Sequence, residues 1–178
     1  MSDTTLRYHI CETDLGWVGL AFSGAGLRAT TLPRASQDNA MRELLEMGAL
    51  EPASQSEIAD VPERIRALAA GRYADLSVRV DWSGVSPFRR AVLEECSRIP
   101  AGQTMSYGGL AEAIGRPGAA RAVGRVMATN PFPLLVPCHR VVASDGTLGG
   151  YGGGLALKER ILRAEGATWV PQASHRRD

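Results

Sequence analysis

The sequence predicts an α/β N-terminal domain, in which helices accompany a small antiparallel sheet, followed by a mainly α C-terminal domain. Three observations predict this order: β-forming residues alternate in the first third of the chain, apolar residues at helical spacing dominate after Trp82, and the charge changes sign between the two parts. Up to Ser83 the 8 basic and 12 acidic residues give −4, and the 12 basic and 7 acidic residues that follow give +5. We therefore predict domains at 1–83 and 84–170 and a tail at 171–178.

The first domain combines strands and helices. Three segments bunch β-forming residues between short turns, which predicts an antiparallel meander at 6–13, 17–23 and 27–32. Two amphipathic helices, each ending at a glycine, are predicted at 36–48 and 61–71. Alternation at 75–82 predicts one further strand.

Helices dominate the prediction for the second domain. Residues 86–100 begin with a capping serine and predict a helix whose buried face includes Cys96, which makes that thiol a core residue. Two short helices follow at 106–114 and 119–129, the first capped by Ser106, with a glycine-rich turn between them. This pair predicts a helix-turn-helix unit.

The second helix of that unit has two distinct faces. Helical spacing predicts that its core-facing residues are Ala119, Ala122, Val123, Val126 and Met127. The opposite side carries small residues and two guanidinium groups, at Ala120, Arg121, Gly124, Arg125 and Ala128. Such a face lets a helix approach a nucleic-acid groove closely, and it is equally typical of an ordinary solvated helix. On this segment alone both interpretations stay open.

Composition narrows the classes of protein. No apolar run approaches the roughly 18 residues of a membrane-spanning helix, and the N-terminus lacks the basic start and apolar block of a signal peptide, so we expect a cytoplasmic protein without membrane contact. The three cysteines form no C-x-x-C pair and only three histidines are present, so we expect reduced thiols, no metal site and no cofactor. The basic second half indicates a polyanionic partner such as nucleic acid, with mutual attraction of the two halves as the alternative.

The segment PLLVPCHRVV raises the question whether Cys138 is a core residue, a metal ligand or a nucleophile. Two prolines favour an extended chain here, and burial alone would raise the thiol pKa, so a reactive Cys138 needs a nearby base. His139 is the candidate base, although neighbours in an extended chain point to opposite faces, so contact requires a local turn or a bridging water. With Glu165 at the edge of a later apolar helix face, the residues form a nucleophile, base and orienter set.

The segments NPFPLLVPCHRVV and GGYGGGLALKERILRAEG resemble the active-site signature of the O6-alkylguanine-DNA alkyltransferases, or methylated-DNA–protein-cysteine methyltransferases. The resemblance extends from SPFRRAVLEEC to Glu165, about half the chain, and the first 80 residues fit only in length and element order. It implies a single-turnover DNA-repair enzyme in which Cys138 irreversibly takes a methyl or alkyl group from O6 of a flipped guanine, with O4 of thymine as a second candidate lesion. The implied partner is double-stranded DNA containing O6-alkylguanine, bound through the minor groove by a monomer, and no cofactor is implied.

The resemblance also implies roles for individual residues. His139 would deprotonate Cys138 through a water while Glu165 holds the imidazole, and Asn130 would brace the turn around them. Tyr107 would help to turn the nucleotide out and Arg121 would enter the duplex in its place. The remaining implied DNA or base contacts are Ser106, Ala120, Ala122, Gly124, Val141 and Gly152.

At two of these positions, the resemblance either conflicts with the helical spacing or departs from the family pattern. For Ala122 the resemblance implies a groove contact, whereas helical spacing predicts a core position. Gly152 stands where some family members carry a serine near the guanine O6, so only a backbone N–H is available there and the range of substrates stays open.

Three other functions compete with alkyl transfer. A non-catalytic alkylated-DNA recognition protein would replace the cysteine, whereas this chain keeps Cys138. A helix-turn-helix regulator would present polar, base-reading side chains instead of alanine and glycine. A thiol hydrolase would need an oxyanion-hole motif, and none is evident in the sequence.

Overall fold

A four-stranded sheet opens the chain in the computed structural model, which describes residues 5–72 and 77–170. Its strands, in the spatial order β3-β2-β1-β4, are β1 (Leu6–Thr13), β2 (Gly16–Ser23), β3 (Gly26–Thr30) and β4 (Ala49–Pro52). The first three form the predicted antiparallel meander. The fourth pairs parallel with β1, so the sheet is mixed. Sequence analysis missed β4 because it has only four residues, three of them exposed, and therefore shows no apolar alternation.

Helices accompany this sheet as predicted. They are α1 (Gln37–Glu46), a single turn α2 (Gln55–Ile58) that the sequence analysis missed, and α3 (Val61–Ala69). The chain leaves α1 and α3 through Gly48 and Gly71, whose φ angles of 86° and 69° favour glycine over any residue with a side chain.

The strand predicted at 75–82 is not formed in the part that the structure describes. Residues 75 and 76 lie outside the described ranges, and beyond them Val80 makes a single parallel bridge to Leu27. Backbone hydrogen bonds from Leu27 to Arg79 and from Asp81 to Leu27 hold this bridge at 2.8 Å each. The segment therefore extends the edge of β3 only locally.

The second half is mainly helical. It contains α4 (Pro87–Ser97), α5 (Tyr107–Ala113), α6 (Ala120–Ala128), α7 (Leu155–Ala164) and two short parallel strands, β5 (Met105–Ser106) and β6 (Val141–Val142). The predicted caps are present, since Ser86 and Ser106 accept hydrogen bonds from the N–H groups of Arg89 and Gly109. Among the described residues, no helix is both long and apolar enough to cross a membrane.

One hydrophobic cluster joins the two halves. It includes Phe22 and Leu27 from the sheet, Val92 and Cys96 from α4, and Val123 from α6. Cys96 has no exposed surface, which confirms it as a core thiol. The boundary between residues 83 and 84 stays a prediction, because buried residues on both sides of it share this core.

Strand β3 also contacts the segment that leads to Cys138. The Thr30 N–H donates to the Pro131 carbonyl at 2.8 Å, and the Thr30 hydroxyl donates to the Pro133 carbonyl at 3.0 Å. Thr30 is buried, so neither bond competes with bulk water. The N-terminal sheet therefore anchors the chain segment that leads to Cys138.

Candidate functional site

The chain around Cys138 is folded into turns, so the prediction of an extended segment is wrong. A tight turn joins Pro133 to Val136, and Leu134 in it adopts φ 72°, a left-handed conformation that is unfavourable for leucine. The next three residues form one turn of 3-10 helix, Cys138–Arg140. The prolines restrict φ but do not prevent such turns. The result is a rigid, buried turn in which consecutive side chains need not point to opposite faces.

Cys138 lines a pocket of about 410 Å³, called here the Cys138 pocket. Its lining comes from α5, α6, the 3-10 turn and a glycine loop (residues 149–154), and consists of Tyr107, Gly124, Met127, Ala128, Cys138, Gly150, Tyr151 and Gly152. Only 7% of Cys138 is exposed. The structure therefore brings together three residues predicted to contact a base, Tyr107, Gly124 and Gly152, with the thiol.

The pKa of the Cys138 thiol reflects opposing effects. Burial raises this pKa above its ordinary value. A hydrogen bond from the Asn130 side chain and the positive charge of Lys158 lower it, although burial outweighs them. Asn130 also donates to the Val136 carbonyl at 2.9 Å and accepts from the Phe132 N–H at 2.9 Å. It thus contacts the thiol and braces the preceding turn.

His139 and Glu165 form a buried pair. The distance between His139 Nε2 and Glu165 Oε1 is 2.9 Å, and the two side chains are 1% and 2% exposed. Burial lowers the pKa of His139, which favours the neutral imidazole. Burial also acts to raise the pKa of Glu165, but hydrogen bonds from His139 and Arg140 outweigh it and hold that pKa at about 2.

These ionisation states fix the tautomer of the imidazole. An ionised carboxylate only accepts hydrogen bonds, so the proton of a neutral His139 must lie on Nε2. Nδ1 then carries a lone pair, and this atom is buried without a hydrogen-bond partner within the described ranges. The ring is therefore held ready to accept a proton at Nδ1.

Arg140 completes the buried pair, and sequence analysis missed it. Its guanidinium binds both carboxylate oxygens of Glu165, at 3.0 and 2.7 Å, and donates to the Ile99 carbonyl at 2.5 Å. The available signal was the isolated Glu165 at an apolar helix edge, since a buried carboxylate requires a cation. Glu165 itself lies at the C-terminal cap of α7, one residue beyond the helix.

Lys158 is a second residue of the candidate site that sequence analysis missed. Its ammonium is fully buried and donates to the Val141 carbonyl at 2.6 Å, the Leu148 carbonyl at 2.5 Å and the Gly150 carbonyl at 3.4 Å. Burial lowers its pKa to about 8. The single amine therefore links β6 to the glycine loop. In the sequence, the only indication of a special role was that this residue is the one lysine in the chain.

The backbone carbonyls of Val141 and Cys138 both accept hydrogen bonds. Val141 accepts from Lys158, and Cys138 accepts from the Val141 N–H. A carbonyl oxygen has two lone pairs, so each can accept one more donor.

The tyrosines of the pocket keep their protons. Burial raises the pKa of the Tyr107 hydroxyl, opposed in part by a hydrogen bond from the Gly150 backbone. Burial likewise raises the pKa of Tyr151, whose buried hydroxyl has no partner in the described part of the chain. Both hydroxyls are protonated at neutral pH and can donate to a ligand.

Helix α6 presents one face to the core and another to solvent. Val123, Val126 and Met127 are buried as helical spacing predicts, but Ala122 is only half-buried, so its core assignment is wrong. The physical reason is that Ala122 lies about 100° around the helix from Val123, at the margin of the buried face. Arg121 is exposed on that helix, beside half-buried Ala120. These three residues do not line the Cys138 pocket.

Ser106 has a structural position. Its hydroxyl caps α5 at 2.9 Å from the Gly109 N–H, directly before Tyr107. Among the described residues there is no group of three or more histidines, cysteines or carboxylates that could hold a metal ion.

Comparison with known proteins identifies a family. Residues 87–167 match the model described as "6-O-methylguanine DNA methyltransferase, DNA binding domain". The methylated-DNA–protein-cysteine methyltransferase of Shigella flexneri is 46% identical over 104 residues, which cover 58% of this chain and 61% of that protein. The enzyme of the same name from Salmonella typhimurium is 50% identical over 97 residues, covering 54% and 57%. The matched segment thus spans about three fifths of these relatives.

Solved structures extend the likeness to nearly the whole chain. The O6-methylguanine methyltransferase of Mycobacterium tuberculosis has a TM-score of 0.73 and 31% identity, over 91% of this chain and 93% of that one. The protein from the same organism in complex with DNA has a TM-score of 0.73 and 33% identity, over 90% and 92%. The corresponding enzyme of Pyrococcus kodakaraensis gives 0.67 and 29%, over 92% and 100%.

Proposed function

Because this chain belongs to the O6-methylguanine-DNA methyltransferase family, we propose that it repairs DNA by transferring the alkyl group from O6 of guanine to its own Cys138. The observation that carries the proposal is the hydrogen-bond state of His139. One ring nitrogen is engaged by Glu165 at 2.9 Å, and the other is buried with no partner in the described part of the chain, next in sequence to a buried thiol. This arrangement prepares a base for a nucleophile.

The reaction begins with a proton transfer. The Cys138 thiol gives its proton to Nδ1 of His139 through one water molecule, and the imidazolium that forms is stabilised by ionised Glu165. Arg140 keeps Glu165 ionised, since its guanidinium binds both carboxylate oxygens. Asn130 and Lys158 favour the thiolate because both lower the pKa of Cys138.

Alkyl transfer follows as a displacement at carbon. The thiolate attacks the carbon bound to guanine O6, an S–C bond forms, and the C–O bond breaks. Its electron pair stays with the guanine, which then takes up one proton, so atoms and charge balance. The C–S bond of the resulting thioether is stable to water, because thiolate is a poor leaving group from an alkyl carbon, so each molecule reacts once.

The depth of the thiol requires that the base leave the helix. Cys138 is only 7% exposed and lines a pocket, so a base that stays stacked in the duplex is out of its reach. We propose that the guanine is flipped into this pocket, where the Tyr107 and Tyr151 hydroxyls and the free lone pairs of the Val141 and Cys138 carbonyls meet its polar edge. Gly152 supplies only its backbone there.

Helix α6 is the proposed DNA-contacting element. Ala120, Ala122 and Gly124 leave room for close approach to a minor groove, and exposed Arg121 has the length to occupy the space of the flipped nucleotide. The partner is then double-stranded DNA containing O6-alkylguanine, bound by one protein molecule. Ser106 acts through the cap that orients Tyr107. A cytoplasmic location stays a prediction.

Following the lesion in the DNA tests this function. A duplex with one O6-methylguanine is incubated with excess protein, digested to nucleosides and separated by chromatography. The expected result is loss of O6-methylguanine and gain of an equal amount of guanine, with none for Cys138→Ser. Binding of the duplex without conversion by the unaltered protein would instead support the alternative of a damage-recognition protein.

A further inference from the structure

The glycine loop at residues 149–154 is held within its own half by the bond from Lys158 to the Gly150 carbonyl and by Tyr107 beside Gly149, but other parts of it have no packing neighbour. A Cβ added at Gly150 or Gly154 would have no heavy atom within 4 Å. The loop nevertheless forms one side of the Cys138 pocket through Gly150 and Gly152. Whatever restrains this loop therefore also fixes the width of the pocket.

Leu32, from the N-terminal half, packs against this loop. Its Cδ1 atom lies 3.4 Å from the position of a Cβ on Gly152 and 3.5 Å from that of a Cβ on Gly153. Apart from the chain neighbours of Gly152, no other described residue has a heavy atom within 4 Å of that first position. The matched family model begins at residue 87, so Leu32 lies outside it.

Leu32 itself is firmly held. Thr30, two residues earlier, bonds to Pro131 and Pro133, and the hydroxyl of Thr31 accepts the Gly19 N–H at 2.9 Å. Both threonines are buried. The side chain that follows them therefore starts from a fixed backbone position.

Leu32 also borders a cleft. A cleft of about 530 Å³, called here the Leu32 cleft, runs between β3 and the Asn130–Pro131 segment and is lined in part by Leu32, Met47 and Arg89. Gly152 lines the Cys138 pocket, and Leu32, whose side chain lies next to Gly152, lines this cleft. A shortened residue 32 would let the loop move toward the cleft.

We infer that Leu32 is a positioning residue that holds the glycine loop against the Cys138 pocket and thereby limits the size of the alkyl group that Cys138 accepts. The inference rests on the proposed function and specifies its substrate range. It assigns to the N-terminal half a part in selecting among O6-alkylguanines, with small groups favoured and bulky groups resisted by the supported loop.

The test compares two lesions in one duplex sequence, O6-methylguanine and O6-benzylguanine. Rate constants for guanine formation are measured for the unaltered protein, Leu32→Ala and Leu32→Val. The ratio of benzyl to methyl rates is expected to rise on the order of tenfold in Leu32→Ala, because a few methylenes in an apolar contact change discrimination by about that factor. Leu32→Val should give a smaller rise in the same direction.

A matched control is Met47→Ala, which enlarges the Leu32 cleft at a residue that is not among the nearest neighbours of Gly152 or Gly153, and its ratio should stay that of the unaltered protein. Thermal melting shows which variants are folded. If Leu32→Ala does not fold, the ratio of benzyl to methyl rates in Leu32→Val tests the inference. An unchanged or lower ratio, including an equal loss on both lesions, overturns the inference. Failure of the unaltered protein to convert O6-methylguanine would instead contradict the proposed function.

Discussion

The two halves of the molecule use charge in opposite ways. In the N-terminal half, ion pairs such as Arg34–Glu43 and Arg66–Glu63 keep part of their surface in water, and Asp81 is the only buried charged residue among those described. In the C-terminal half His139, Arg140, Lys158 and the Glu165 side chain are all nearly or fully buried. The core of the first half could be built from apolar packing alone, whereas that of the second half depends on a charged network.

This difference indicates where the chemistry lies. Burying charges costs more than exposing them, and a buried pair is often no more stable than an apolar replacement. A network of this kind is therefore poorly explained by stability. Asn130 and Lys158 lower the pKa of Cys138, and Glu165 bonds to the imidazole of His139, the next residue in the sequence.

The largest predicted effect is that of Cys138→Ser, which should remove the activity and leave the stability nearly unchanged. Cys138→Ser should abolish alkyl transfer, because a serine hydroxyl is far less acidic and less nucleophilic than a thiol. Stability should change little, since the two side chains are similar in size and Cys138 makes no side-chain ion pair. Duplex binding, measured by fluorescence anisotropy, should persist. Retained transfer would remove Cys138 from the mechanism.

Glu165→Gln tests the buried network itself. It removes the charge between Arg140 and His139, and the free energy of unfolding should fall by about 3 kcal/mol, as for other broken buried pairs. Glu159→Gln, six residues earlier and within α7, is the control. Glu159 pairs with Arg163 at the surface, so its loss should be below about 0.5 kcal/mol in the same urea titration. An equal fall in the free energy of unfolding for both variants would contradict the proposed difference between buried and surface ion pairs.

The same pair predicts a pH dependence. The folded-state pKa of Glu165, about 2, lies below the ordinary value of 4.5, so its contribution is complete above pH 4.5 and is lost as the pH falls toward 2. Unaltered protein should therefore lose stability more steeply in this window than Glu165→Gln, as measured by urea unfolding at each pH. If stability fell equally steeply with pH in both proteins, the low pKa of Glu165 would be contradicted.

Lys158→Met should have a smaller effect on stability and a distinct effect on chemistry. Three backbone carbonyls lose a buried donor, which should cost about 1–3 kcal/mol. Loss of the positive charge should raise the pKa of Cys138 and move the pH–rate profile for transfer toward alkaline pH. Arg160→Met, an exposed change two residues later on α7, should leave the profile in place.

Arg121→Ala is expected to have the smallest effect on the fold, since Arg121 is exposed. It should slow repair of the duplex by about tenfold while leaving the reaction with free O6-benzylguanine base unchanged, because only the duplex reaction requires base flipping. Arg116→Ala, an exposed arginine in the turn before α6, is the control. Equal slowing of both reactions by Arg121→Ala would contradict the proposed insertion.

Local patterns predicted much of the fold. Alternating residues marked β1, β2 and β3, and spacing with caps marked α1, α3, α4, α5, α6 and α7, because each of these elements buries one regular face. Strand β4 and helix α2 have four residues each and no such face. The isolated bridge of Val80 depends on Leu27, more than 50 residues away, and no local pattern encodes it.

The candidate site divides in a similar way. Cys138, His139 and Glu165 were marked by a motif and by an isolated carboxylate, and the structure brings His139 and Glu165 into contact. Arg140 and Lys158 were missed because arginine and lysine are usually exposed, so their type argues against burial. Leu32 was missed because it lies close to Gly152 only in the folded chain, in a segment about 120 residues away.

The most direct test of the central claim is the mass of the protein after reaction with a duplex containing O6-methylguanine. The account predicts that each molecule gains the mass of one methyl group replacing one hydrogen, that peptide analysis locates this group on Cys138, and that further duplex adds no more. An unchanged protein mass while guanine is restored in the DNA, or a methyl group on another residue, would contradict it.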